Sequence, residues 1–419
     1  MKLEFGFGNT VQYVDVPEAN LMGILGHNEV ELGFTGEEEV RRALYAPIGS
    51  PQLRDIVKPG ETVAIITSDI TRPMPTHEVM PLLLDELYAC GIKPEDITLV
   101  FGLGIHRPHT QDERRKLAGE RAFREIRCVD STPEDCISMG VTKRGTPIDI
   151  SRDVAQAQRR ICLGNIEYHY FAGYSGGGKA IMPGVSNGAA ISNNHAMMVR
   201  DDACAGKLSG NPIREDIEEA AGICGIDFIL NVVLDENKHI VKAVAGDSVL
   251  AHREGCKFLD LFYLKHLDER ADIVLVSQGG APKDLNLYQV QKALDNAKHA
   301  VKKGGIIVLI GSCKEGLGER EFEDWMLHSV STRAMVERIG KDFRLGGHKA
   351  AAIAMVLENA DIYLVSELPD AFVRDIFLTP YGSAQAAFDA AFKTMGKEAK
   401  VLAMPYGGST LPYVNQSLN

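Results

Sequence analysis

Between His169 and His195 the chain gathers three groups able to hold a ligand or move a proton: His169, Lys179 ten residues on, and His195 sixteen beyond that. The small residues Ala172 to Gly178 let backbone N–H groups approach a ligand closely. Ser175, Gly176, Gly177 and Gly178, directly before the lysine, are therefore expected to line a cofactor. Gly173–Lys179 also reads G-x-x-x-x-G-K, but Ala180 stands where a P-loop needs Ser or Thr for Mg²⁺. A Mg²⁺-dependent NTPase is disfavoured, while a loop cradling another phosphate keeps the glycines and the lysine. His106 is the third histidine in a polar, glycine-containing setting. One such histidine alone is usually structural. Two imidazoles on opposite sides of one carbon can each give and take a proton near neutral pH, as inversion of a stereocentre requires. A zinc site built from His106, His169 and His195, as in a hydrolase, is the rival; no short His spacing or nearby Cys ligand supports it. A nucleotide-binding protein without catalysis, built on the Gly173–Lys179 loop, is the alternative from another class.

Two further groups are candidates for holding an anion. Arg72 follows Asp69 by three residues in a turn ending at Pro73. It is either a solvated side chain on a turn held by Asp69 or a planar clamp for a carboxylate. Tyr288-Gln289-Val-Gln-Lys292 opens a long helix. There Asn286 and Gln289 fit an N-cap with its returning amide, and Lys292 lies one turn beyond Gln289 on the same face. Lys292 is a surface lysine or a cation facing a cleft.

The elements that must position these groups are legible as βα alternation. Glu61–Ser68 (ETVAIITS) is a buried strand that exits through Asp69–Pro73 into a helix over Thr76–Cys90. Asp96–Gly102 is the next strand, exiting through His106 into a helix over Gln111–Leu117. Both candidate motifs thus fall at the carboxyl edge of a parallel sheet, where open α/β sheets bind ligands. Ile161–Ile166 is a short strand delivering His169, and a helix from about Asn187 carries His195. Residues 2–16 read as an edge hairpin, Thr35-Gly-Glu-Glu38 as a capping box, and Phe228–Leu234 with His239–Ala245 as a hairpin. A new βα alternation begins after Leu267–Ala271. The domains expected are therefore 1–268, 269–404, and a tail 405–419 returning to the first domain. The fold class is α/β, each domain having a mainly parallel sheet flanked by helices.

The net charge of -12 and the absence of a basic run argue against nucleic acid, and no apolar run reaches the roughly 18 residues of a membrane span. The N-terminus lacks a signal peptide's apolar core. Eight scattered cysteines without C-x-x-C read as reduced, mostly core thiols, which places the chain in the cytoplasm. Oligomeric state is not readable.

The set Asp69-x-x-Arg72, Gly-x-His106-Arg, His169-x9-Lys179, x15-His195 and Tyr288-Gln289-x-x-Lys292 resembles the nickel-pincer-dependent lactate racemase family, from about Gly60 onward. The resemblance implies two domains with the active site in the cleft between them. It also implies a nickel-pincer nucleotide, a pyridinium-3,5-bisthiocarboxylic acid mononucleotide carrying nickel, covalently attached at Lys179. His195 would be the protein ligand to nickel, and His106 and His169 the acid/base pair. Arg72, Tyr288, Gln289 and Lys292 would hold a small 2-hydroxy acid, with Asp69 against cofactor and substrate. Cofactor-synthesis enzymes would be partners. The activity implied is a racemase or epimerase inverting C2 of a 2-hydroxy carboxylate by hydride transfer. One departure concerns the substrate. Lactate-acting members carry a tryptophan near it, whereas the matching stretch here reads Leu345-Gly-Gly-His348-Lys349 and Trp325 is the only tryptophan.

Overall fold

A computed structural model describes residues 1–414. The chain divides into two compact units, Val30–Leu261 and Met1–Glu29 together with the chain from Phe262 on.

In the unit Val30–Leu261 six strands form one sheet, ordered Ile240–Gly246, Phe228–Leu234, Arg159–Asn165, Val63–Ser68, Ile97–Gly102, Arg127–Asp130. All neighbours run parallel except the Phe228–Leu234/Ile240–Gly246 hairpin. Val63 to Thr67 are all buried, so this strand shows the continuous apolar run of a strand covered on both faces. The helix Thr76–Ala89 that follows buries Val79, Met80, Leu83, Leu84 and Leu87, at the three- and four-residue spacing of one helix face. They join Ile65, Leu99, Ile161 and Leu230 in one core. From Val63–Ser68 the chain first builds outward through Ile97–Gly102 to Arg127–Asp130. It then returns to place Arg159–Asn165 on the other side of the first strand. That reversal makes the carboxyl ends of Val63–Ser68 and Arg159–Asn165 the topological switch point of the sheet, the place where a crevice opens for a ligand.

The other unit has an all-parallel sheet ordered Thr379–Tyr381, Ala360–Val365, Val301–Ile310, Ala271–Ser277, Val401–Met404, Leu21–Ile24. The expected hairpin is present as Lys2–Phe7 paired with Thr10–Asp15. Its apolar residues Leu3, Phe5 and Val14 are buried with Ile273, Val308 and Phe388. A single boundary at Leu267–Ala271 therefore does not describe this chain: residues 1–29 belong with the later unit. The physical reason is that a half-apolar ribbon must be covered, and its cover lies more than two hundred residues away in sequence, out of reach of local patterning. The tail strand Leu411–Val414 runs parallel to Leu264–Leu267, also within this unit; residues 415–419 lie outside the described residues.

Local expectations differ in two places. Thr35 is the N-cap of Gly36–Tyr45 without the side-chain bond of a capping box, whereas Thr110 and Glu113 form a complete one. The helix expected to reach Lys302 ends at Ala297, and the strand begins at Val301. No disulfide joins the eight cysteines among the described residues, and Cys162, Cys224, Cys256 and Cys313 are buried. Among the described residues no helix is long and apolar enough to cross a membrane.

Candidate functional site

Asp69 is the first residue beyond the strand Val63–Ser68 and is 4% exposed. Its Oδ1 accepts from the Thr71 hydroxyl at 2.7 Å and the Thr71 N–H at 3.3 Å, which closes the turn. Its Oδ2 lies 2.5 Å from Nδ1 of His106, delivered by the neighbouring strand Ile97–Gly102. Burial opposes the Asp69 charge. The hydrogen bond and charge of His106, with Thr71 and Arg72, outweigh it and hold the carboxyl below its ordinary range. An ionised carboxylate only accepts, so Nδ1 of His106 carries the proton and Nε2 is the basic nitrogen. Asp69 thus holds the turn, and the half-buried Arg72 has no side-chain hydrogen bond or ion pair among the described residues.

The same loop is tied down a second time. His109 Nε2 accepts the Ile70 N–H at 3.1 Å, and its Nδ1 donates to Asp130 at 2.6 Å. His109, buried and invisible to motif reading, is the strut that holds the Asp69–Arg72 turn.

Beyond the strand Arg159–Asn165, on the other side of the switch point, the chain makes a two-residue hairpin, Tyr168–His169 with Gly173–Tyr174. His169 Nδ1 accepts the Ala172 N–H at 3.3 Å, so the neutral ring carries its proton on Nε2. Phe171, 3% exposed, gathers three candidates around one ring. His169 lies 4.5 Å from it edge-on, His195 4.8 Å, and the Lys179 amine 5.8 Å. Lys179 sits in the short turn Gly177–Ala180. Desolvation, with the positive charges of Arg214 and Arg72 adding, pushes its amine well below the ordinary lysine range. The neutral form of a lysine amine is its nucleophilic form, and a lowered pKa makes that form more accessible. Trace acetylation of the protein made alone, followed by peptide mass spectrometry across pH, is expected to show this. Lys179 should react with an apparent pKa below the roughly 10.4 of an ordinary lysine; a profile matching surface lysines would contradict it.

The glycines before Lys179 also pack closely against the protein. A Cβ at Gly176 would lie 2.8 Å from Asn231, at Gly177 2.9 Å from the His252 ring, and at Gly178 2.9 Å from Ala221. Gly177 N–H already donates to Asn231 at 2.7 Å, and Ser175 gives its hydroxyl to the Asn165 carbonyl and its N–H to Glu167. Close packing against the protein requires these glycines. No long helix starts at the loop, so the phosphate cradle that its G-x-x-x-x-G-K spacing suggested lacks its helix N-terminus.

What fixes the loop is the helix Pro212–Cys224. Asn211, its N-cap, donates to the Phe171 carbonyl at 2.8 Å. Arg214, fully buried, donates to the carbonyls of Ala172 at 3.1 Å, Tyr174, and Gly176 at 3.5 Å. Desolvation lowers its guanidinium to about 10. Sequence reading missed Asn211 and Arg214. The Asn-Pro helix start was visible as a cap followed by Pro at the first turn, but nothing local says which loop it braces.

His195 ends the helix Gly188–His195, is 8% exposed, and has Nδ1 2.9 Å from the Asn194 side-chain oxygen. Among the described residues no three His, Cys, Asp or Glu side chains converge to hold a metal. A zinc site of His106, His169 and His195 therefore has no ligand geometry behind it.

In the other unit, Tyr288, Gln289 and Lys292 lie on the helix Leu287–Ala297, which follows the exit of Ala271–Ser277. Asn286 caps it by accepting the Gln289 N–H at 3.1 Å. His348 and Lys349 begin the helix Gly347–Leu357 and are buried, not solvated. Lys349 donates to Gln291 at 2.5 Å and its amine lies 5.4 Å from the Tyr288 ring. Trp325 is a core residue whose indole donates to Glu321 at 2.9 Å. It packs so tightly that a Cβ on Gly347 would fall 2.6 Å from its ring.

Comparison with known proteins matches most of the chain to two family domains. The lactate racemase N-terminal domain profile matches residues 7–206, and the lactate racemase C-terminal domain profile matches residues 267–411. A lactate racemase of Thermoanaerobacterium thermosaccharolyticum is 32% identical over 98% of both chains. One from Lactiplantibacillus plantarum is 30% identical over 88% of this chain and 89% of its own. Among solved structures, the lactate racemase apoprotein from T. thermosaccharolyticum superposes with a TM-score of 0.91 at 30% identity, covering 99% of this chain and 100% of that one. A Thermotoga maritima protein at 19% identity shares the fold, with a TM-score of 0.64 over 88% of this chain and 100% of its own.

Proposed function

Because the chain belongs to the lactate racemase family, and is therefore an isomerase, we propose that it inverts C2 of a 2-hydroxy carboxylate with a nickel-pincer nucleotide as cofactor. The observation that carries this reading is the opposite tautomers in which two imidazoles are held. His106 keeps Nε2 basic because Asp69 holds its other proton, and His169 keeps Nε2 protonated because Nδ1 accepts a backbone N–H. One base and one acid, each able to exchange roles, are what inversion of a hydroxyl-bearing carbon needs.

The residues present fit the cofactor. Lys179 offers a half-buried amine held below the ordinary lysine range for the covalent link, and His195 a ring held by Asn194 for the metal. When bound, the cofactor supplies a reversible acceptor for hydride. Everything else falls to the chain. The α-hydrogen beside a carboxylate is too weakly acidic to leave cheaply as a proton. His106 therefore takes the hydroxyl proton of one enantiomer as that hydrogen leaves as hydride, and a planar 2-keto acid results. His169, once protonated, would give the hydroxyl proton back on the opposite face, and the roles would reverse for the other enantiomer. Arg72, whose guanidinium is uncommitted, holds the substrate carboxylate, with Tyr288, Gln289 and Lys292 as further substrate contacts. The reading places the protein in the cytoplasm, beside the enzymes that make the cofactor.

The test is the intact mass and activity of protein produced together with those enzymes. An adduct confined to Lys179, with racemisation of a 2-hydroxy acid, is expected. Nickel-free, adduct-free protein that still racemises would end the proposal. The substrate follows from the segment where lactate-acting members carry tryptophan. With polar His348 and Lys349 there, the holoenzyme assayed on D-lactate, D-malate, 2-hydroxybutyrate and D-gluconate is expected to prefer the more polar acids. A preference for lactate or 2-hydroxybutyrate that His348→Trp leaves unchanged would refute a polar side-chain pocket.

A further inference from the structure

We propose that Asn194 and Asp216 form a relay that fixes His195 in the tautomer with its proton on Nδ1, so that Nε2 is the donor nitrogen toward a metal. The relay rests on the reading of His195 as nickel ligand, but its geometry is independent of any metal. Asp216 lies on the helix Pro212–Cys224 and is fully buried. Its carboxylate accepts from the Thr142 hydroxyl at 2.5 Å, the Thr146 hydroxyl at 2.7 Å, and the Asn194 amide Nδ2 at 2.8 Å. The Ile213 carbonyl accepts from the same Nδ2 at 3.3 Å. A backbone carbonyl cannot donate, so the orientation of the Asn194 amide is determined: nitrogen toward Ile213 and Asp216, oxygen toward His195. That oxygen, 2.9 Å from His195 Nδ1, can only accept. The neutral ring must then carry its proton on Nδ1 and its lone pair on Nε2. A free neutral imidazole favours the opposite tautomer, with Nε2 protonated and closed to a metal. Partners of this kind, beyond the ligand itself, orient metal-binding histidines and raise their affinity. Asn194 and Asp216 are thus positioning residues acting through His195.

The bland alternative is that these side chains only join the helices Gly188–His195 and Pro212–Cys224. Two variants separate the cases. Asn194→Leu removes the acceptor at similar volume. Asp216→Asn keeps an oxygen toward Asn194 and turns its amide nitrogen to the Thr142 hydroxyl, which can accept, so the relay survives. Protein made without cofactor and labelled with ¹⁵N-histidine is read by long-range ¹H–¹⁵N spectra at pH 8, with His195 identified by the signal lost in His195→Gln. Wild type and Asp216→Asn are expected to show a protonated Nδ1 and an unprotonated Nε2, and Asn194→Leu a majority of the reverse. In holoprotein, Asn194→Leu should bind nickel about 10–100-fold more weakly while keeping its adduct on Lys179. A wild-type ring protonated on Nε2 overturns the relay, and that spectrum needs no variant to fold. So does a folded Asn194→Leu protein whose His195 tautomer is unchanged. If the tautomer is as stated but His195→Gln holoprotein retains nickel like wild type, it is the ligand reading that falls, because the spectra are recorded without metal.

Discussion

Lys179→Ala, produced with the cofactor-synthesis enzymes, is expected to fold, to lack any mass adduct, and to lose at least ~10³-fold in racemisation rate. Tethering turns a bimolecular encounter into an intramolecular one, and well-oriented tethers reach effective molarities on the order of 10⁵ M or more. Free cofactor at ordinary concentrations cannot replace that. An adduct persisting at another residue would show the anchor to be elsewhere. A second, cofactor-free readout follows from the environment of the amine. Its folded pKa lies below its unfolded one. The folded state therefore binds fewer protons than the unfolded chain, and its stability rises with pH between the two values. The penalty is full below the folded pKa and gone above the unfolded value of about 10.4. The melting temperature of Lys179→Ala relative to wild type should thus decline as pH rises toward that limit. A difference independent of pH would mean that the amine is charged in the folded protein.

His106→Ala and His169→Ala are each expected to slow the reaction at least ~10²-fold, the low end for a positioned acid or base. Substrate deuterated at C2 should keep its label through inversion, since hydride never equilibrates with water. Release of the label to solvent at the rate of racemisation would replace hydride transfer by proton abstraction. Asp69→Asn separates positioning from chemistry. It leaves His106 in place but removes the carboxylate that fixes the Nδ1 proton. Its effect should appear as a shifted pH–rate profile as well as a lower rate. If Asp69→Asn and His106→Ala differ from wild type in folding alone, the pair has no part in the reaction.

Much of this was legible in the sequence because strand-exit loops announce themselves: an apolar run, then polar and glycine residues, then a helix start. That pattern placed Asp69, His106 and His169 at one sheet edge, where the structure has them. The braces were not legible. Arg214 and Asp216 sit in IREDIEE, a segment that reads as an ordinary amphipathic helix, yet both are fully buried and hold segments 22 to 74 residues upstream. A buried charge satisfied by distant carbonyls leaves no periodic trace. The glycines at 176–178 also lie against Asn231, His252 and Ala221, a packing need that local sequence does not show. Sequence shows that a Cβ is missing but not which side needs the room. His348 and Lys349 defeated the rule that charged residues stay exposed, because Gln291 receives the lysine.

The placement of residues 1–29 with the chain from Phe262 on makes that unit discontinuous, with Val30–Leu261 inserted in it. During synthesis the inserted unit is complete once Leu261 has emerged. The opening ribbon, which leaves the ribosome first, must wait for Ile273, Val308 and Phe388 before Phe5 and Val14 have a core to enter. Its half-apolar face is the part of the nascent chain left longest without its own partner, and the part a chaperone would hold. The same connectivity means that 30–261 can be cut out as one continuous fragment, whereas its host can be obtained separately only by joining Glu29 to Phe262 with a new linker.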